Sequence, residues 1–103
     1  MKIKTLDITV KEWFDKVNGN SYFSAQATIN YGMKNAVTLY FPYEYGYGNH
    51  GENQVWNTIK KSFKINDIRP FPFSYCEENK IIYRYNKIEN CKKAEIIAYG
   101  KGL

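Results

Sequence analysis

Ser21-Tyr-Phe-Ser-Ala-Gln-Ala-Thr-Ile-Asn-Tyr31 alternates without a break. Phe23, Ala25, Ala27, Ile29 and Tyr31 fall on one side, and Tyr22, Ser24, Gln26, Thr28 and Asn30 on the other. A period of two held this long marks a β-strand with one buried and one polar face. Asn18-Gly19-Asn20 precedes it and Gly32-Met33-Lys34-Asn35 follows, both rich in residues that accept a turn backbone. The strand is therefore flanked by hairpin partners. Upstream, Ile3–Val10 places Leu6, Ile8 and Val10 on one face, while Lys11–Val17 is ambiguous: Trp13, Phe14 and Val17 have helical spacing, but the run is too short to decide. Downstream, Val37, Leu39 and Phe41 continue the inward pattern. Tyr43, Tyr45 and Tyr47 keep the same odd phase, so their rings are expected to begin as a continuation of the core face. On that reading Tyr43 is structural, and Tyr45 and Tyr47 are the residues to mutate first. Pro42 cannot donate to a ladder, which assigns the distal half of this strand to an edge.

A helix is expected from Asn49 or Gly51 to about Lys64, with Val55, Trp56, Ile59 and Phe63 as its apolar stripe. Glu52 in its first turn and Lys60, Lys61 and Lys64 in its last complement the helix dipole. Asn66–Asn79 reads as a loop stiffened by Arg69-Pro-Phe-Pro-Phe73. Lys80–Ile88 and Ala94–Tyr99 read as a closing hairpin, with Ala94, Ile96 and Ala98 alternating on its second arm. The expected fold is a single α+β domain over residues 1–103, a small antiparallel sheet of about five strands with one amphipathic helix in the order β-β-β-α-β-β. A five-stranded barrel of the oligonucleotide-binding kind fits the same order.

At 103 residues the chain supports one modest core. Aromatics make up 17% of it, ten Tyr against six Phe and two Trp, a balance suited to a sheet with a half-exposed face. Only Leu6 and Leu39 precede the last residue among the leucines, so part of the ring inventory has to fill the core. The net charge of +5 is unevenly spread. Residues 1–50 carry five Lys and four acids, whereas residues 51–103 carry ten Lys or Arg and six acids. That excess reads either as a patch for phosphate or an acidic partner, or as ordinary solvated helix and hairpin faces. Thirteen of the fifteen basic side chains are Lys, which favours contact with a nucleic-acid backbone over base edges.

Catalytic chemistry is thinly supplied. His50 is the one histidine, which excludes an imidazole cluster for metal or a two-histidine acid–base pair. Cys76 and Cys91 match no ligand or redox spacing, and reduced thiols are expected, with a bridge between them left open. Gly46-Tyr-Gly48 before a helix lacks the third glycine and the Lys-Ser/Thr of nucleotide-binding loops. No catalytic residue, metal site or cofactor is expected. Met1–Val10 lacks an apolar run and no segment approaches membrane-spanning length, so neither a secretion signal nor a membrane partner is expected, and the compartment read is cytoplasmic. Binding chemistry is better supplied, since rings with lysines serve single-stranded nucleic acid and Tyr-rich surfaces serve protein partners. The candidate binding residues are Tyr43, Tyr45, Tyr47, His50, Lys60, Lys61, Lys64, Arg84 and Lys87, with Tyr83 and Tyr85 as further rings.

Trp13-Phe14-x-Lys16-x-Asn18-Gly19-Asn20-x-Tyr22, followed by Tyr45-Gly-Tyr-Gly48 leading into the helix, resembles small uncharacterised proteins of bacteriophages and prophages. The matched part spans about residues 13–56. The resemblance brings no catalytic residues with it. By analogy of size and lifestyle it implies an anti-CRISPR-type inhibitor of a host defence complex, whose partner is an effector protein or ribonucleoprotein. A phage single-stranded DNA- or RNA-binding module, and a small ligand-binding protein or enzyme using the Tyr/Gly loop, are the alternatives.

Overall fold

The computed structural model describes residues 2–103. Its elements run β1 (Thr5–Asp15), β2 (Asn20–Ile29), β3 (Val37–Tyr45), α1 (His50–Ser62), α2 (Phe73–Glu78), β4 (Ile82–Ile88) and α3 (Lys93–Gly100). The four strands form one open sheet in the order β3-β2-β1-β4. β1 pairs antiparallel with β2 and parallel with β4, and β2 pairs antiparallel with β3. The α+β class stands. The finer expectation is corrected: four strands rather than five, a mixed rather than an antiparallel sheet, and three helices rather than one. The sheet does not close, so the barrel alternative does not hold.

β1 extends through the ambiguous Lys11–Val17 stretch as far as Asp15. Its turn explains why. The Asp15 carboxylate accepts from Val17 N at 3.0 Å and from Asn18 Nδ2 at 2.8 Å, while Gly19, at φ 72°, donates to Asp15 O at 2.7 Å. The Asn18 side-chain bond is the leading cause holding the Asp15 carboxyl below the usual carboxylate value. At its other end β2 stops at Ile29, two residues short of the expected Tyr31. Asn30 turns left-handed at φ 58° and is fully buried; its amide accepts from Lys4 N at 2.7 Å and donates to Lys2 O at 2.9 Å. Tyr31 is left exposed.

One face of the sheet carries the core. Leu6, Ile8 and Val10 lie beside Phe23, Ala25, Ala27 and Ile29, and Val55, Trp56 and Ile59 of α1 pack on them with Cys76 of α2. Tyr83 and Tyr85 of β4 close this layer at the β4 edge. Gly51 lets α1 sit close: a Cβ there would meet Val10 Cγ1 at 2.8 Å. Glu52, expected merely to complement the helix dipole, is buried and accepts a hydrogen bond from the Tyr83 hydroxyl. Desolvation is the main reason the Tyr83 phenol is pushed far up, and burial pushes Tyr85 up to about 12.

Ala94–Tyr99, expected as a strand, is α3 instead. Ala94, Ile96 and Ala98 share a strand phase, but Ile97 is apolar too, and the six residues Ala94–Tyr99 cannot separate period two from period 3.6. Ala and Glu favour helix, and a single fully buried side chain, Ile96, anchors it. α3 lies across the second face of the sheet. Glu95 bonds Lys11 Nζ at 3.0 Å, Tyr99 O accepts from Gln26 Nε2 at 2.9 Å, and the Lys11 ammonium sits 4.4 Å from the Tyr99 ring centroid. The Asn66–Asn79 loop also holds the short helix α2. Arg69 ties it together, bonding Asp67 and Glu78 (2.8 Å), while Asn53 Nδ2 donates to Pro70 O at 2.8 Å and Trp56 Nε1 to Arg69 O at 3.2 Å. Among the described residues no helix is long and apolar enough to cross a membrane.

Two outcomes follow from this packing. Gly51→Ala forces a methyl into Val10 and Phe23, and we expect a loss of about 1–2 kcal/mol in urea unfolding once the gain in helix propensity is subtracted. An unchanged midpoint would show that α1 is free to lift. The second concerns acid. Hydrogen bonds from Arg69 hold Asp67 at about 2 and lower Glu78 as well. Because both folded-state values are depressed, the stability they contribute is complete above the ordinary values of 3.8 and 4.5; the Asp67 part is lost as pH falls through about 2, and the Glu78 part as pH falls through its own lowered value. Arg69→Met should therefore lose stability at neutral pH and show a shallower acid limb than wild type.

Candidate binding surface at the aromatic end of the sheet

The tyrosines do not continue the core face. Ala25 pairs with Phe41 but Phe23 pairs with Glu44, so β3 spends one more residue than β2 between these pairs. Such a β-bulge inverts the inside–outside phase of everything beyond it. Phe41 stays half-buried against the core, whereas Tyr45 stands opposite Tyr22 on the second face and Tyr43 points the same way. Pro42 sits in the bulge of an edge strand, where no ladder donor is lost.

The second face gathers rings from three strands. Trp13 of β1 is directly opposite Tyr22 of β2, with centroids 5.5 Å apart and planes at 25°. Tyr22 in turn meets Tyr43 at 5.5 Å and Tyr45 edge-on at 5.9 Å. The row Trp13–Tyr22–Tyr43/Tyr45 thus crosses the end of the sheet. α3 starts beside Trp13 and covers the middle of that face, leaving Tyr45 57% and Tyr43 39% exposed. Tyr43 is a member of this surface rather than a core ring.

Basic side chains meet the row at its β1 end. Lys93 Nζ lies 5.5 Å from the Trp13 ring centroid. Trp13, Phe14, Lys16, Lys92 and Lys93 line one groove of about 470 Å³ between the β1–β2 turn and the start of α3. Phe14, on the opposite face of β1 from Trp13, is 48% exposed there. A second groove, of about 530 Å³, opens at the β3 end, lined by Tyr45, Tyr47, His50, Asn53, Pro70 and Phe71. His50 is held edge-on by Phe23, at 5.7 Å and 77°, and hydrogen-bonds Gln54 Nε2 at 3.2 Å.

The remaining sequence candidates separate. Lys60 Nζ donates to Asp67 O and Arg69 O, both at 2.9 Å, and serves the loop. Arg84 is ion-paired with Asp7 across the β4–β1 ladder, which raises its pKa further. Lys87 pairs with Glu12 at 3.2 Å and donates to Gly48 O at 2.8 Å, pinning the glycine loop to β4. Lys61 and Lys64 line a separate groove near the C-terminal end of α1, roughly 16 Å along the helix from His50 by its rise per residue. Of the nine candidates, Tyr45, Tyr47 and His50 line one groove and Tyr43 meets Tyr22 in the neighbouring row, while of the basic five Lys87 alone reaches this end, through the Gly48 carbonyl.

Sequence reading missed Trp13, Tyr22, Lys16, Lys92 and Lys93 as site residues. The signal existed for the first pair: an Asp-x-x-Asn-Gly-Asn turn places Trp13 across from Tyr22 once the upstream stretch is taken as strand. Both cysteines are free and buried, and burial raises both thiols, Cys76 to about 11. That environment disfavours the reactive thiolate.

No family model, curated protein or solved structure matches the chain. The surface is therefore read from its own geometry.

A double-mutant cycle on Trp13→Ala and Tyr22→Ala should return a coupling of about 0.5–1.5 kcal/mol in urea unfolding, the range for a stacked aromatic pair. Strict additivity would mean that the rings are apart in solution.

Proposed function

We propose that this chain is a non-enzymatic binding protein that takes single-stranded nucleic acid on the aromatic end of its sheet. The observation that supports this most is the row Trp13–Tyr22–Tyr43/Tyr45, whose rings follow one another at 5.5 to 5.9 Å on a half-exposed sheet face. Unstacked bases pack on such rings at about 1–3 kcal/mol each, whatever their sequence. Lys16, Lys92 and Lys93 at one end of the row supply ammonium groups for the phosphates, and their being Lys suits contact with backbone. Duplex, whose bases are already stacked, offers the row nothing to hold.

Fluorescence anisotropy of short DNA and RNA oligonucleotides tests this. Binding should fall steeply with salt, and Trp13→Ala or Tyr45→Ala should each weaken it by about 1–3 kcal/mol. Replacing Lys92 and Lys93 with Gln should lower the magnitude of the log–log salt slope by about 1.4. Anisotropy that stays flat at low salt for single strands would overturn the proposal.

A second reading has its own support. The residues that carry the resemblance to phage proteins are those that build this surface: Trp13, Phe14, Lys16 and Tyr22 line it, Asn18 and Gly19 form its turn, and Tyr45-Gly-Tyr-Gly48 borders it. On this reading the surface serves, in the cytoplasm of a bacterial host, to inhibit a nucleic-acid-dependent defence complex. It would do so by occupying a guide or target strand, or a protein face needed for assembly. Expression of the chain should then relieve interference in the host, and Trp13→Ala or Tyr45→Ala should restore it.

A further inference from the structure

The groove at the β3 end is separate from the aromatic row but shares Tyr45 with it. We infer that this groove is a base pocket: it receives one unstacked nucleobase between Tyr45, Tyr47 and Phe71, over a polar floor of Asn49, His50 and Asn53. The choice of a nucleobase rests on the single-strand reading; the existence of a site for a flat heteroaromatic ring does not.

Three features of the groove point to this ligand. Its volume of about 530 Å³ lies within the range of small-molecule sites, about 300–1,000 Å³. Its walls are aromatic on both sides, with Tyr45 and Tyr47 from the strand end and Phe71 with Pro70 from the loop. Its floor is the start of α1, where Asn49 just before the helix and His50 and Asn53 in its first turn present two amides and an imidazole, groups that hydrogen-bond the polar edge of a base. Apolar or aromatic walls with a few polar groups are what orient a heterocycle.

The walls are fixed before any ligand arrives. Asn53 Nδ2 bonds Pro70 O at 2.8 Å, and the neighbouring Arg69 carbonyl accepts from Trp56 and Lys60, so the Phe71 side is tied to α1 at three points. On the strand side Gly46 is buried so tightly that a Cβ would meet His50 Cδ2 at 2.5 Å and Phe23 Cε1 at 2.6 Å. Lys87 holds the Gly48 carbonyl from β4. Little ordering entropy is left for the protein to lose on binding. Tyr47, at 68% exposure, completes the strand-side wall.

His50 makes the test direct, because it is the one histidine and its imidazole signals in an NMR spectrum need no assignment by elimination. The wild-type protein is titrated with each of the four ribonucleoside 5′-monophosphates and, separately, with ribose 5-phosphate. The expected result is a saturable shift of the His50 ring signals with at least one nucleotide and none with ribose 5-phosphate. Phe71→Ala and the more exposed Tyr47→Ala should each weaken that binding by about 5- to 150-fold, the loss of one stacking partner. A silent His50 with all four nucleotides overturns the inference, as does an equal response to ribose 5-phosphate. The oligonucleotide anisotropy is read independently. Strands that bind while His50 stays silent remove the pocket and leave the row; nucleotides that shift His50 while no strand binds leave the pocket and remove the row.

Discussion

The turn that joins Asp15 to Asn20 sets the register of the two central strands, and each layer of the molecule is placed by that register. With Asp15 opposite Asn20, Leu6, Ile8 and Val10 stand beside Ile29, Ala27 and Ala25, and one continuous apolar face results. A slip of one residue would exchange that face for Thr9, Lys11 and Trp13 and leave α1 nothing to bury against. The turn resists slippage because its Asp15 carboxylate is satisfied by Val17 and Asn18 and its backbone reversal is completed by Gly19 in the left-handed region. The same register puts Trp13 on Tyr22. Core and binding surface are thus two faces of one ladder.

A second local device separates those faces. Without the extra residue in β3, Tyr43 and Tyr45 would follow Phe41 toward α1, where Phe23 and the His50 ring already fill the space around Gly46. The bulge turns them outward instead. The charge distribution is reorganised in a comparable way. Both arginines and two lysines of the basic second half are used within the fold, in the Arg69–Asp67/Glu78 clamp, the Arg84–Asp7 pair, the Lys87–Glu12 pair and the Lys60 bonds to loop carbonyls. What reaches the aromatic row comes from the β1–β2 turn, which supplies Lys16, and from the start of α3, which supplies Lys92 and Lys93. Net charge counted along the chain therefore misplaces the patch, because it cannot see which ammonium groups already have partners.

Periodicity made the central strands, the edge position of β3 and the stripe of α1 legible. Phe23, Ala25, Ala27 and Ile29 are buried as their spacing requires, and Val55, Trp56 and Ile59 are too. It failed where a segment was too short or where one residue broke phase. Ala94–Tyr99 is too short for its spacing to exclude a strand, while Ala and Glu favour helix and Ile96 is the side chain it buries fully. β4 was recognised as a strand, but its parallel partner β1 lies more than seventy residues away and leaves no local mark. The tyrosine phase was misread because a bulge is a property of two strands together. Half the surface was legible as Tyr45, Tyr47 and His50. The other half, Trp13 and Tyr22, needed the strand assignment of Lys11–Asp15, which the spacing of Trp13, Phe14 and Val17 obscured.

The length of α3 explains why a surface remains at all. Eight helical residues span about 12 Å, while the ten-residue β2 beneath extends for about 33 Å, so α3 can shelter only part of the second face. It shelters the part rich in small and polar groups, where Ser24, Gln26 and Lys11 lie under Gly100, Tyr99 and Glu95. The uncovered end carries the large rings. A purely hydrophobic face there would expose an apolar patch prone to self-association, and tyrosine lowers that cost by keeping a hydroxyl in water while its ring stacks on a neighbour. Tyr22 meets Tyr45 edge to face and Tyr43 at a tilt, and Tyr43 and Tyr45 still present ring surface outward. Position thus divides these tyrosines: Tyr83 and Tyr85 of β4 seal the core, and Tyr22, Tyr43 and Tyr45 at the end of β2 and β3 build the half-exposed aromatic row.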